Sequence, residues 1–235
     1  MLQLDAAVSK ISKYATLESG DTLEMIERPH GGVSFVLVDG QRSGRSAKTI
    51  SNIVARKALT LLSEGVRDGA AARAAHDYLF THRQGKVSAT LNIASVDLVS
   101  RTLVLSRNSH CPIYVLTTEG LKTLDHPTTP VGLYRNTKPV VTEMPLEAPT
   151  AIVIFTDGLQ HAGKRQHCLL DIPALLAAVD LAKLTAAREI ADLLFDEAYR
   201  LDQQRPGDDI SVLIITILQK SLSRAGRHLQ VSFPL

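Results

Sequence analysis

The chain has 235 residues, of which 45% are hydrophobic, 21% are charged and 4% are aromatic, and its formal net charge is +2. This composition excludes a largely disordered chain, and the length is sufficient for one well-packed domain. Three positive charges, Lys220, Arg224 and Arg227, lie in the last seventeen residues, which contain no acid. The rest of the chain is almost neutral, which argues against nucleic-acid binding as its main task.

The longest apolar run covers residues 212–218 and is interrupted by Thr216. It is far shorter than the ~20 apolar residues that a membrane-spanning helix needs. The first residues lack the basic region and apolar stretch of a signal peptide. The two cysteines, Cys111 and Cys168, form no paired motif. We therefore expect a reduced, cytoplasmic protein that does not bind membranes.

In the first part of the chain, the pattern predicts strands at residues 4–17, 22–28 and 33–38. The third is apolar on both faces, which is typical of a buried central strand. A helical period then begins, and the residues on its apolar face are Ile50, Ile53, Val54, Ala58, Leu61 and Leu62. A second helix is predicted over residues 69–80.

The second part of the chain is predicted to contain strands, then helices, then a last strand. The strands are expected at residues 86–96, 102–107, 112–117, 120–124, 139–144 and 151–155, the helices at 172–179 and 186–201, and the last strand at 210–218. Closely spaced strands form hairpins, so this order predicts an α+β fold with antiparallel sheets and helices outside them. We expect a single domain over residues 1–218. Residues 219–235 would be a basic tail or an extra edge strand over 228–233.

Acidic residues flank four of the predicted strands. Asp39 and Asp157 each follow an apolar strand, whereas Asp21 and Asp208 each precede one. In antiparallel sheets the end of one strand lies beside the start of its neighbour, so these carboxylates should gather at one edge. Clustered carboxylates repel one another and remain ionised only beside cations. Oxygen ligands without nearby His or Cys favour Mg²⁺ or Mn²⁺.

An alternative is that the Asp-Gly pairs are ordinary hairpin turns, since this dipeptide is favoured there. A hairpin requires a second strand immediately afterwards. Asp39-Gly40 instead precedes a predicted helix, and Asp157-Gly158 precedes a polar loop at residues 159–167. The combination of four flanking acids therefore favours the metal site.

These motifs resemble those of type 2C metal-dependent protein serine/threonine phosphatases, and in particular the SpoIIE-like bacterial branch. The resemblance extends over about residues 15–218. The segments that carry it are Gly20-Asp21, Asp39-Gly40-Gln41-Arg42-Ser43-Gly44, Asn108-Ser109-His110-Cys111-Pro112, Pro130-Val131-Gly132-Leu133, Thr156-Asp157-Gly158 and Asp208-Asp209-Ile210-Ser211. The second motif is also similar to that of the stand-alone RsbX-type phosphatases of the stressosome pathway, and we expect, as in that group, no attached sensor domain.

The resemblance implies a four-layer αββα sandwich, with two antiparallel sheets flanked by helix pairs and two Mn²⁺ or Mg²⁺ ions at one edge. Asp39 would bridge the ions, with the Gly40 carbonyl and Asp21 on one of them. Asp157 and Asp208 would bind the other, and Asp208 matches the motif better than Asp209. The implied reaction is attack of a metal-activated water on a phosphoserine or phosphothreonine. The implied partner is a phosphorylated regulatory protein of a stressosome or anti-sigma pathway.

Two positions depart from the family pattern. Arg42 replaces a glycine that helps the loop bend, and it either reaches a phosphate or points into solvent in a relaxed loop. Gln41 replaces a histidine that some members use as a general acid. Two alternatives therefore stay open: a catalytically weak, phosphatase-like binding module, and a metal phosphoesterase for small molecules. Arg45 and Lys48 are expected on a solvated helix start or on a phosphopeptide rim, and His110 in a turn.

Overall fold

The computed structural model of the chain describes residues 2–29, 31–219, 226, 228 and 230. Two five-stranded antiparallel sheets form the centre of these described residues. The strands are β1 (Leu2–Ile11), β2 (Asp21–Glu27), β3 (Val33–Gly40), β4 (Ala89–Asp97), β5 (Thr102–Asn108), β6 (Ile113–Thr117), β7 (Gly120–Leu124), β8 (Val140–Pro145), β9 (Thr150–Phe155) and β10 (Ile210–Gln219). The order is β1-β10-β9-β6-β7 in one sheet and β2-β3-β4-β5-β8 in the other.

The helices lie on the outer faces of the two sheets. They are α1 (Gly44–Ser63), α2 (Asp68–Arg83), α3 (Asp157–Gln160), α4 (Ile172–Ala177) and α5 (Ala187–Leu201). The faces that the sheets turn towards each other form one apolar core, which includes Leu37, Leu105 and Ile154. A second core joins the β2-β3-β4-β5-β8 sheet to α1 and α2, and a third joins the other sheet to α4 and α5. The α+β sandwich with flanking helix pairs is thus confirmed.

The first predicted strand was too long. Residues 4–17 were expected to be one strand, but β1 ends at Ile11 and a loop leads to β2. The loop is held by a carboxylate distant in sequence, because both oxygens of Asp209 accept its backbone N–H groups. No local pattern could reveal that contact. The polar loop expected after Asp157 begins instead with the short helix α3.

Most of the segment at residues 219–235, predicted as a basic tail or an extra edge strand, lies outside the described residues, although Gln219 ends β10. Among the helices that the structure describes, none has both the length and the apolar character needed to cross a membrane.

His76 on α2 is a buried polar residue that contacts the backbone of Gly132. Its Nδ1 accepts a hydrogen bond of 3.0 Å from the backbone N–H of Gly132, and burial lowers its pKa. Because the folded state favours the neutral ring, the stability that His76 contributes is complete above the unfolded-state pKa of about 6.5 and is lost as the pH falls. We expect His76→Leu to cost about 1–2 kcal/mol at pH 7.5, and less at pH 5.

Urea unfolding of wild type and His76→Leu at the two pH values measures this difference. His82→Leu, at an exposed position of the same helix, is the control. An equal cost of His76→Leu at both pH values would contradict the role given to the neutral ring.

Candidate metal centre

The predicted acids come together because strand ends from both sheets meet at one edge. Asp21, the first residue of β2, lies opposite Asp39 near the end of β3. In the other sheet, Asp157 lies two residues after the end of β9, and Asp208 lies two residues before β10, the antiparallel neighbour of β9. The four carboxylates thus lie at one edge of the sandwich, as antiparallel geometry predicts.

A cleft of about 310 Å³ opens at this edge. It contains five of the six predicted site residues: Asp39, Gly40, Arg42, Asp157 and Asp208. The sixth, Asp21, is completely buried beside Asp39. His110 and Lys13 also line the cleft.

The environment of the cleft disfavours ionisation of two of its carboxylates, Asp39 and Asp208. Burial, together with the charges of Asp21 and Asp157, raises the pKa of Asp39 to about 9. Burial also raises the pKa of Asp208. A carboxylate that resists ionisation in this way is stabilised by a cation placed beside it.

Asp21 supplies the observation that bears most directly on metal binding. Its Oδ2 accepts hydrogen bonds from the hydroxyls of Thr156, at 3.0 Å, and Ser211, at 2.6 Å. Its Oδ1 is buried and has no hydrogen-bond partner among the residues that the structure describes, and burial raises the pKa of Asp21 to about 6. A buried carboxylate oxygen without a donor is costly unless a cation binds it. The residues present therefore fit Mg²⁺ or Mn²⁺ by donor type and by this open oxygen.

The hydroxyls of Thr156 and Ser211 were not identified as functional from the sequence, although both belong to the quoted motifs. Their strands are neighbours, and the N–H of Ser211 donates to Thr156 Oγ1. Both side chains thus position the fully buried Asp21. The feature of the sequence that could have identified Thr156 and Ser211 is their position within these motifs.

Two lysine side chains contact the backbone of Asp21. Lys10 and Lys48 donate to its backbone carbonyl at 2.5 and 2.6 Å. Burial and the nearby Lys48 charge lower the pKa of Lys10 to about 8. The expectation that Lys48 lies on a solvated helix start or a phosphopeptide rim was wrong, since it points inward. Lys10 was missed because nothing in a β1 pattern identifies a functional lysine.

Asp208 and Asp209 have different surroundings. Asp209 is buried, and its two oxygens accept from the backbone N–H groups of Lys13 and Gly20, both at 2.8 Å. Asp208 is only partly buried and accepts from the N–H of Asp209. Asp209 therefore fixes the loop between β1 and β2, whereas Asp208 has oxygen capacity left at the cleft.

His110 faces the cleft rather than only forming a turn. Its Nε2 lies 3.7 Å from Oδ2 of Asp157, and its side chain is 53% exposed. This neighbour lowers the pKa of Asp157, and Asp157 in turn raises the pKa of His110. At 3.7 Å the contact is too long for a hydrogen bond, and it is an ion pair when His110 is protonated. The contact with His110 favours the ionised form of Asp157 at the cleft wall.

The glycines of the Asp-Gly pairs are required by close packing. A Cβ at Gly40 would lie 2.1 Å from the backbone oxygen of Ala47, and one at Gly158 would lie 2.1 Å from that of Asp209. Neither pair joins two hairpin strands, so the ordinary-turn alternative was wrong.

Arg42 has a φ of +76°, in the left-handed region that glycine adopts without strain. This backbone conformation argues against the relaxed loop considered from the sequence. Gln41 forms two hydrogen bonds with Ser88. Its backbone N–H donates to the Ser88 carbonyl, and its side-chain Oε1 accepts from the Ser88 N–H. Arg42 is exposed at the edge of the cleft.

The acids surround one cleft without forming a ready coordination sphere. Among the described residues, no three His, Cys, Asp or Glu side chains are arranged to hold one metal ion. The fit to metal therefore depends on the donor chemistry and on the unpartnered oxygen of Asp21.

Comparison with known proteins places the chain in a family. The sequence profile of the family Stage II sporulation protein E (SpoIIE) matches residues 29–218. Stage II sporulation protein E of Bacillus subtilis (strain 168) is 21% identical over 217 residues, which are 92% of this chain and 26% of that protein. The chain thus spans about a quarter of the length of this relative.

Solved structures show the same fold. The PP2C phosphatase domain of Bacillus subtilis SpoIIE with a fragment of its regulatory domain aligns with a TM-score of 0.82 at 20% identity, over 94% of this chain and 65% of that one. RsbX in complex with magnesium gives 0.71 at 15% identity, over 92% and 100%. The catalytic domain of PstP with two manganese ions gives 0.69 at 16% identity, over 93% and 100%.

The two sheets and their flanking helices define a protein with the PP2C-type fold. Within that class, the chain belongs to the SpoIIE family.

Proposed function

We propose that this chain is a metal-dependent phosphatase that hydrolyses phosphoserine or phosphothreonine on a regulatory protein. The observation that carries the proposal is the open Oδ1 of the fully buried Asp21, next to Asp39, whose pKa is raised to about 9. Membership of the SpoIIE family supports it. In this proposal residues 1–218 form the phosphatase domain.

Two Mn²⁺ or Mg²⁺ ions would be held by Asp39, the Gly40 carbonyl and Asp21 on one side, and by Asp39, Asp157 and Asp208 on the other. The chemistry that such ions supply is positive charge for the phosphoryl oxygens and a lowered pKa for water. RsbX with magnesium and PstP with two manganese ions support this choice of ions.

Neighbouring side chains fix the orientation and the ionisation of the proposed metal ligands. Thr156 and Ser211 fix Asp21, and His110 favours the ionised form of Asp157. Arg42, at the cleft edge, can donate two parallel hydrogen bonds to a phosphoryl group. Gln41 has no titratable proton, so this position cannot supply the proton that the leaving oxygen needs.

A protein substrate is favoured over a small molecule because exposed side chains, Gln41 and Arg42, border the cleft. We propose that the partner is a phosphorylated regulator of a stressosome or anti-sigma pathway, in the cytoplasm. Similarity to RsbX, and to a structure described with the bacterial stressosome, supports this partner class.

The test is phosphate release from phosphoserine peptides with Mn²⁺, Mg²⁺ or EDTA. We expect turnover with either metal and none in EDTA. Binding of the phosphopeptide without turnover under any metal would instead identify the catalytically weak binding module. Turnover of small phosphate esters but not of phosphopeptides would identify the small-molecule phosphoesterase.

Arg42 allows a sharper prediction about substrate binding. Arg42→Gly should raise KM for phosphopeptides about tenfold, because a charged hydrogen bond contributes roughly 1.5–3 kcal/mol. It should also stabilise the protein by up to about 1 kcal/mol, because glycine adopts positive φ without strain.

Arg42→Lys keeps the charge but lacks the planar fork, so we expect it to restore KM only in part. Steady-state kinetics at saturating Mn²⁺ and thermal melting measure the two effects. An unchanged KM in Arg42→Gly would show that Arg42 is only a rim residue.

A further inference from the structure

A second cavity adjoins the acidic cleft. It has a volume of about 390 Å³ and lies between the first turns of α1, the end of α2 and the segment that leads to β4. Gln41 and Arg42 line both the cavity and the cleft. A ligand that occupies one space can therefore extend across Arg42 into the other.

The charge of the second cavity is opposite to that of the cleft. Arg42, Arg83 and Lys86 line it together with the hydroxyl residues Ser46 and Thr49, and none of the described residues that line it is Asp or Glu. None of the three cations forms an ion pair with an acid in the part of the chain that the structure describes. The cavity thus presents uncompensated positive charge next to the candidate metal centre.

Arg83 distinguishes this cavity from an ordinary solvated basic surface. Its Nε is buried and has no hydrogen-bond partner within the described part of the chain. A buried guanidinium N–H without an acceptor costs free energy, and an anionic group can supply both the acceptor and the opposite charge. Arg83 thus brings to the cavity wall a guanidinium whose charge no acid in the described part of the chain pairs with, and this charge favours an anion.

We propose that this basic cavity binds an anionic side chain of the substrate protein, a carboxylate or a second phosphate, close in sequence to the phosphorylated serine or threonine. The proposal rests on the proposed phosphatase function, since the scissile phosphate would occupy the acidic cleft. The enzyme would thus select phosphorylated sites within acidic segments.

Two matched phosphoserine peptides test this selection, one with three Asp residues on each side of the phosphoserine and one with Asn in their place. With Mn²⁺ at low salt, we expect kcat/KM of the wild type to be about tenfold higher for the Asp peptide. Because screened charges lose their attraction, raising the salt to 0.5 M should reduce this ratio.

Charge removal in the cavity should abolish the preference. We expect the ratio of the two kcat/KM values to fall to near 1 in Arg83→Ala/Lys86→Ala, and to fall in part in Lys86→Ala, whose exposed side chain can be truncated without disturbing the fold. Arg73→Ala removes an exposed charge elsewhere on α2 and should retain the wild-type ratio. Thermal melting identifies any variant that is unfolded.

The outcomes separate this proposal from the proposed function. Turnover of both peptides with equal kcat/KM by the wild type would overturn the cavity proposal and leave the phosphatase intact. If the cavity variants change inhibition by inorganic phosphate but not the peptide ratio, the cavity binds free phosphate and the proposal is wrong. If no phosphate ester is hydrolysed, the proposed function fails. Fluorescence anisotropy of the labelled Asp peptide then tests the cavity alone, and equal binding by wild type and Lys86→Ala would overturn it.

Discussion

Asp39→Asn should abolish phosphatase activity while stabilising the metal-free protein. Asp39 is the residue proposed to contact both ions, so we expect its loss to lower kcat by at least about a thousandfold. Its carboxylate is also the most strongly perturbed group of the cleft, with a pKa raised to about 9 by burial and by Asp21 and Asp157. Removing a charge that the fold resists should raise the melting temperature in EDTA.

The pH dependence gives the sign of this effect. The folded-state pKa of Asp39 lies above its ordinary value of 3.8, so its contribution to stability is complete below pH 4 and is lost as the pH rises towards 9. In EDTA, the advantage of Asp39→Asn should therefore grow between pH 5 and pH 8. With Mn²⁺ present the order should reverse, because bound ions stabilise the wild type and not the variant.

Thermal melting with and without Mn²⁺, together with phosphate release, separates the two roles. Asp192→Asn, which removes a partly exposed carboxylate from α5, is the matched control and should change neither. Wild-type activity of Asp39→Asn would refute the metal assignment. A lower melting temperature of this variant in EDTA would instead refute the electrostatic account of the cleft.

Antiparallel hairpin geometry explains why so much of the site could be predicted from the sequence. Once closely spaced strands indicate such sheets, acids that end one strand and begin the next must meet at one edge. Asp21 and Asp39 are an example, because Asp21 begins β2 and lies opposite Asp39 near the end of β3. The strand order and the way in which the sheets face each other then bring Asp157 and Asp208 to this edge.

The remaining features depend on contacts between distant segments. Lys10 reaches the Asp21 carbonyl from β1, which lies in the other sheet. The basic cavity combines Arg42 from the loop before α1 with Arg83 from the end of α2. Neither the hydrogen bond of Lys10 nor the basic cavity produces a periodic pattern in the sequence, because each depends on how helices and sheets pack. Side chains whose partners lie across layers therefore had to be identified from the structure.

The neighbouring carboxylates Asp208 and Asp209 should respond in opposite ways to the same substitution. Asp208→Asn should reduce activity by at least about a hundredfold with little change in stability, because its side chain borders the cleft and holds no loop. Asp209→Asn should instead destabilise the fold by about 1–3 kcal/mol. Its two oxygens accept from Lys13 and Gly20, and an amide provides only one acceptor oxygen for those two buried donors.

Urea unfolding in EDTA and phosphate release with Mn²⁺ at a temperature where both variants are folded measure the two effects. Both oxygens of Asp209 already accept backbone N–H groups of the loop, so we expect Asp208 rather than Asp209 to contact the ions. The loop that Asp209 holds leads directly into Asp21, so a moderate loss of activity in Asp209→Asn is expected through displacement of that residue. A larger loss of activity in Asp209→Asn than in Asp208→Asn would show that the ligand is Asp209, and the assignment of Asp208 would then be wrong by one residue.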